Sequence, residues 1–149
     1  MVAAAGVRPG ELVLDIGAGE GALTAPLVRA GARVVAVELN RRRADGLRRR
    51  FPAITVVQAD AAALRLPGRP FRVVANPPYA ISSALLRTLL APGSRLVAAD
   101  LVLQRAVVRR HAADTQRGFS LAVGLTLPRR AFLPPPQVDS AVLVVRRRR

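Results

Sequence analysis

The chain is 149 residues long and 51% hydrophobic. A folded chain of this size buries roughly 68–70% of its unfolded surface, so no disulfide or metal staple is required. Zero cysteines exclude a disulfide scaffold, thiolate-held zinc and thiol catalysis, and a lone histidine, His111, leaves no histidine cage for a metal.

The chain alternates strand-like and helix-like stretches. Glu11 to Ile16 reads as a first strand that ends in the glycine cluster Gly17-Ala-Gly-Glu-Gly21. A helix is predicted from about Glu20 to Ala30, with Gly31 as its stop and Pro26 confined to the first turns. Arg33 to Leu39 is a second strand, and Arg41 to Arg50 is a basic helix with Asn40 as its N-cap. Ile54 to Gln58 and Phe71 to Ala75 are strands three and four. Pro77 and Pro78 end the fourth, and a helix follows over residues 81–90. Leu96 to Leu103 is a fifth strand and Gln104 to Ala112 a helix; Phe119 to Leu127 and Val138 to Val145 are strands with no helix between them. The pattern predicts an α/β Rossmann-like domain over residues 1–149, a mostly parallel doubly wound sheet with a C-terminal antiparallel edge hairpin. Arg146 to Arg149 are expected to form a frayed, solvated tail.

Twenty-four basic residues, all arginine, against nine acids give a formal net charge of +15. Codon bias explains arginine in place of lysine, but not this excess of base over acid. The balance points to nucleic acid as partner. No apolar run is long enough to span a bilayer, and Met1 to Gly10 lack a secretory layout, so a cytoplasmic monomer without membrane or metal is expected.

The chemistry-bearing residues fall at strand ends. Asp15 and glycines 17, 19 and 21 form a G-x-G-x-G turn, where missing side chains let the backbone press against a ligand at a helix N-terminus. Glu20 inside that turn would repel a pyrophosphate, whereas a ligand carrying ammonium and sulfonium centres tolerates it. Glu38, ending strand two, can take the hydroxyls of a ribose. Asp60, after strand three, can accept from an adenine amine or simply cap a helix. These positions share the crevice where such sheets bind ligands, and S-adenosylmethionine is the expected cofactor. Asn76-Pro-Pro-Tyr79 closes strand four. An adenine amine is a poor nucleophile because its lone pair is delocalised; the Asn76 side-chain oxygen and the Pro77 carbonyl can hold its hydrogens, and Tyr79 offers a face for a base drawn from its stack. Phe132, in Phe-Leu-Pro-Pro-Pro-Gln-Val-Asp-Ser140, is either a second jaw over that pocket or core packing for a hairpin. Arginines 41–43, 48–50, 129 and 130 are expected to meet backbone phosphates, which position RNA without reading its sequence. His111 is expected to be solvated and without a role.

These stretches, with Val37-Glu38, Gln58-Ala-Asp60 and Leu103-Gln104, resemble the rRNA adenine N6-methyltransferases in family order through almost the whole chain. Asn-Pro-Pro-Tyr, where small-subunit enzymes usually carry Asn-Leu-Pro-Tyr, is similar to the erythromycin-resistance type, and the arginine- and alanine-rich character to its short actinobacterial, mycobacterial-like members. The resemblance implies Gly17 against the methionine part of S-adenosylmethionine, Glu38 on its ribose and Asp60 on its adenine. Asn76 would stand where cofactor and target meet, with Tyr79 stacked on the flipped adenine and Phe132 closing over it. It implies a target in 23S rRNA or a pre-50S particle, and resistance to macrolide, lincosamide and streptogramin B drugs. The family's N-terminal cofactor segment and C-terminal helical domain are expected to lie outside these 149 residues, leaving the RNA grip to arginine. Ala106 replaces the family's acid two residues after the strand-five glutamine. The alternative readings are a small-subunit rRNA adenine dimethyltransferase, a DNA adenine methyltransferase, a protein-glutamine methyltransferase that shares Asn-Pro-Pro-Tyr, and a non-catalytic ribosome-assembly factor.

Overall fold

A computed structural model describes residues 1–149. Seven strands, β1 (Leu12–Ile16), β2 (Arg33–Glu38), β3 (Thr55–Gln58), β4 (Phe71–Ala75), β5 (Leu96–Gln104), β6 (Phe119–Leu127) and β7 (Ser140–Arg147), form one sheet in the order β3-β2-β1-β4-β5-β7-β6. The first five are parallel, and β7 runs antiparallel to both neighbours. The hairpin expected at the edge is therefore threaded backwards: its second strand enters beside β5 and pushes β6 to the rim. The Val/Leu-rich β7 explains this, since Ala141, Val142, Leu143 and Val145 are all buried and β6 is half exposed. A central slot accepts side chains that are apolar on both faces.

Helices α1 (Val2–Ala5), α2 (Thr24–Arg29) and α3 (Arg41–Arg50) cover one face; α4 (Ser82–Leu89) and α5 (Arg105–Ala113) cover the other. Leu85, Leu86 and Leu89 line the inner side of α4 and join the largest core cluster with Val73, Leu101 and Leu143. Each such leucine contributes about 1.5–3 kcal/mol by leaving water. On the opposite face Val13, Leu27, Val34 and Val74 form a smaller cluster with α1. Asn40 caps α3 as expected, its side chain accepting from the Arg43 backbone N–H at 3.0 Å.

Two local expectations change, and one element is added. The helix after the glycine turn is confined to Thr24–Arg29, because Gly19 and Gly21 adopt positive φ (58° and 97°) and the chain spends residues 20–23 in turns. Residues 2–5 form a short helix ended by Gly6, too brief for a periodic signal. The C-terminal arginines are not all frayed. Arg146 makes a paired contact with the 3%-exposed Asp100 at 3.0 and 3.1 Å, and Arg147 donates to the Leu96 and Ser94 carbonyls while lying over Phe119.

Candidate functional site

A cleft of about 580 Å³ opens at the carboxyl ends of β1, β2, β3 and β4, inside the range of roughly 300–1,000 Å³ usual for ligand sites. Gly17, Gly19, Glu38, Asp60, Asn76, Pro77, Tyr79 and Phe132 all line it. Parallel register explains the convergence: each strand ends at the same level, so each following loop delivers its residues to one crevice.

The glycine turn is fitted to the strand-four corner. Gly17 has φ 73°, and a methyl group there would lie 3.1 Å from Pro78 Cδ and 3.4 Å from Pro77 Cα. Only glycine lets the Asn-Pro-Pro-Tyr corner lean on the turn. Gly17 and Ala18 donate to the Val37 carbonyl, tying the turn to β2. Glu38 is 7% exposed, and each of its carboxylate oxygens accepts one backbone N–H at 2.8 Å, Oε1 from Gly19 and Oε2 from Asn40. Each oxygen keeps lone-pair capacity toward the cleft. Asp60 caps a short turn, its Oδ1 accepting from the Ala62 N–H, and the residue also lines the cleft. Leu39, 63% exposed, adds an apolar surface to the same wall, and Arg43 adds a cation.

Two expected contact residues act from behind the wall instead. Asp15 is 1% exposed and does not line the cleft; its Oδ2 accepts the Thr24 hydroxyl at 2.6 Å, linking the end of β1 to the start of α2. Burial raises its pKa from 3.8 to about 6; the Thr24 bond pulls it down and the nearby Glu38 charge pushes it further up. Gly21 also lies off the cleft, its missing side chain making room for Phe51 and Leu47. Register explains Asp15: it pairs with Ala36, two residues short of the cleft-lining Glu38, so it lies below the level at which the strand ends open.

At the corner itself Pro77 is buried and Asn76 exposed to the cleft. No protein group bonds to the Asn76 side chain or to the Pro77 carbonyl, so both oxygens remain available. Tyr79 is half-buried, and its hydroxyl shares a hydrogen bond with Ser140 Oγ across 61 residues of chain. Phe132 joins Pro134 and Pro136 on the opposite wall, away from the core clusters. Sequence reasoning passed over Ser140, Thr24 and Leu39; a serine that follows a proline-rich segment at the start of a strand was the one available signal. His111 is half-buried on α5 with an unpartnered Nε2, rather than solvated.

Among the basic residues, Arg42, Arg43 and Arg50 line a groove of about 560 Å³ beside the cleft, with Glu20 and Asn40. Arg50 is spent on the Glu20 carbonyl and the Phe51 ring, and Arg48 on Asp45 at 3.0 Å. No helix is long and apolar enough to cross a membrane.

The model of the ribosomal RNA adenine dimethylase family matches residues 1–149. This chain belongs to that family. It is 38% identical over 161 residues to the ribosomal RNA small subunit methyltransferase A of Ralstonia nicotianae, covering 96% of this chain and 57% of that protein. It is 36% identical over 147 residues to the rRNA adenine N-6-methyltransferase of Corynebacterium diphtheriae, covering 91% of this chain and 57% of the other. The solved structure of the 23S rRNA methyltransferase ErmE superposes with a TM-score of 0.87 at 34% identity, covering 98% of this chain and 65% of that one. The chain thus spans less than two thirds of the length of these relatives. The donor set fits S-adenosylmethionine: a side-chain-free turn at Gly17 and Gly19, a carboxylate for ribose at Glu38, an acceptor at Asp60 and an apolar wall at Leu39.

Proposed function

We propose that the chain is the catalytic unit of an rRNA adenine N6-methyltransferase, and that its target is an adenine of 23S rRNA. One observation carries the chemistry: Asn76 and Pro77, whose side-chain and carbonyl oxygens have no protein partners, line the same cleft as the carboxylates Glu38 and Asp60. When bound, S-adenosylmethionine supplies an electrophilic methyl group. Asn76 Oδ1 and the Pro77 carbonyl accept the two hydrogens of the adenine amine, drawing its lone pair out of the ring. The Tyr79 ring stacks on the extruded base and Phe132 closes the opposite wall. Pro77 has no N–H to compete. Alignment accounts for most of the acceleration; as the nitrogen–methyl bond formed, the sulfur–methyl bond would break to release the neutral thioether S-adenosylhomocysteine, the amine proton would pass to water, and no side-chain base is required.

Large-subunit specificity is supported by the likeness to ErmE and by proline at position 77, where small-subunit enzymes usually carry leucine. On that reading the protein works in the cytoplasm on 23S rRNA or a pre-50S particle and protects the ribosome from macrolide, lincosamide and streptogramin B drugs. The second reading, a small-subunit dimethyltransferase, is favoured by relatives such as the Ralstonia nicotianae protein. Incubation with tritiated S-adenosylmethionine and, in separate reactions, naked 23S rRNA, naked 16S rRNA or a release factor, with primer extension of the RNAs, separates the readings. The expected result is label on one adenine of 23S rRNA, abolished by Asn76→Ala and strongly reduced by Tyr79→Ala. Label on 16S rRNA establishes the second reading, label on a release factor overturns the RNA substrate, and no transfer to any of them favours an assembly factor.

A further inference from the structure

We infer that Ser140 is a positioning residue: through the hydroxyl of Tyr79 it holds the base-stacking ring and joins the two walls of the base pocket. The inference rests on the reading of Tyr79 as the stacking surface, and it adds a residue that acts only through another.

The geometry carries it. Tyr79 follows the strand-four corner, whereas Phe132, Pro134 and Pro136 belong to the connection that leads into β7. Ser140 is the first residue of β7, 0% exposed, and paired with Gln104 on one side and Leu127 on the other. Its backbone is therefore held by two neighbouring strands at the cleft end of the sheet. Its Oγ, at 2.5 Å from the Tyr79 oxygen, is the side chain that leaves this fixed frame toward the cleft wall. A ring without such a tie rotates about its Cα–Cβ bond, and a stacked base would have to stop that motion on binding. Prior fixation removes that cost from substrate binding. A second consequence follows. The phenol hydroxyl is engaged by the protein, so Tyr79 presents its ring, not its oxygen, to the substrate.

The test uses Ser140→Ala, Tyr79→Phe and the double variant of the full chain, each checked for a single cooperative thermal transition above the assay temperature. Stacking is present in ground and transition states alike, so the loss belongs to KM. Each single variant is expected to raise KM for rRNA about two- to tenfold, the factor a neutral hydrogen bond is worth, with kcat changed less than about twofold. The double variant should be no worse than either single one, because both delete the same bond. Effects that multiply in the double variant, or a Ser140→Ala protein with the wild-type KM, overturn the inference. If Ser140→Ala does not fold, Tyr79→Phe decides the matter from the half-buried side: an unchanged KM refutes it. Tyr79 is the only tyrosine and no tryptophan is present, so absorption and emission at wavelengths beyond the phenylalanine bands report on this phenol alone. Ser140→Ala must shift both without any RNA. Loss of methyl transfer in the wild-type protein would overturn the proposed function while leaving that spectral shift in place, and an unshifted spectrum would overturn the bond itself.

Discussion

Gly17 and Gly19 share a left-handed backbone, with φ 73° and 58°, but differ in what an added methyl group would meet. At Gly19 nothing lies within 4 Å; at Gly17 the methyl would press on Pro78 Cδ at 3.1 Å and Pro77 Cα at 3.4 Å. Alanine at either position carries the strain of a left-handed residue, about 1–2 kcal/mol. Gly17→Ala adds crowding against a stiff proline pair, about 1–3 kcal/mol, since the ring and backbone cannot rotate aside as a flexible side chain would. In a domain of this length each kcal/mol lowers Tm by about 2–4 °C, so Gly17→Ala should melt about 2–12 °C below Gly19→Ala. Calorimetry of the two variants without ligand measures the difference directly. The same displacement moves Asn76, and a shift of about 1 Å at a reacting centre costs about a hundredfold in rate. Equal melting temperatures for the two variants would refute the claim that the turn and the corner are fitted to each other.

Asp15 makes stability depend on pH. Folded protein holds its proton more tightly than the unfolded chain, pKa about 6 against 3.8, so this residue's contribution falls as pH rises from about 4 to 6 and is level above, a change of order 2–3 kcal/mol. Asp15→Asn, which keeps an oxygen for Thr24, should remove that slope from urea midpoints measured between pH 4 and 7; parallel curves for the two proteins would contradict it. Arg146→Met leaves the buried Asp100 carboxylate without its paired donor and should cost about 1–3 kcal/mol, less than a fully buried pair because the arginine is partly exposed. Adding Asp100→Leu should restore most of the loss in a denaturant titration, and a double variant as unstable as the single one would show that the pair is not what matters. RNA affinity should fall linearly in log–log plots against salt, because arginines displace condensed counterions. Arg42→Gln with Arg43→Gln should shallow that slope by up to about two contacts in filter binding, and an unaltered slope would remove the groove beside α3 from the RNA path.

Much of this molecule is local, and local patterns are readable in one dimension. The runs Leu12–Ile16, Arg33–Glu38 and Phe71–Ala75 are strands because continuous Val, Leu and Ile suit burial on both faces; Asn40 bounds a helix through its side-chain oxygen and Gly31 through its left-handed backbone. The strand-end residues Gly17, Glu38, Asp60, Asn76 and Tyr79 could be placed in one crevice because parallel strands all finish on the same side. Pairing across distance is different. Nothing near Ser140 in sequence says that it will meet Tyr79, or near Asp100 that it will meet Arg146; both contacts exist because β7 turns back and enters between β5 and β6. Asp15 and Gly21 read as ligand contacts from their spacing, yet only packing reveals that one is turned beneath the glycine turn and the other toward Phe51. The amino-acid order thus set which groups are available at each strand end. The closing of the sheet decided which of them face the cleft and which brace it, because a side chain's direction depends on neighbours that the chain brings together only when it folds.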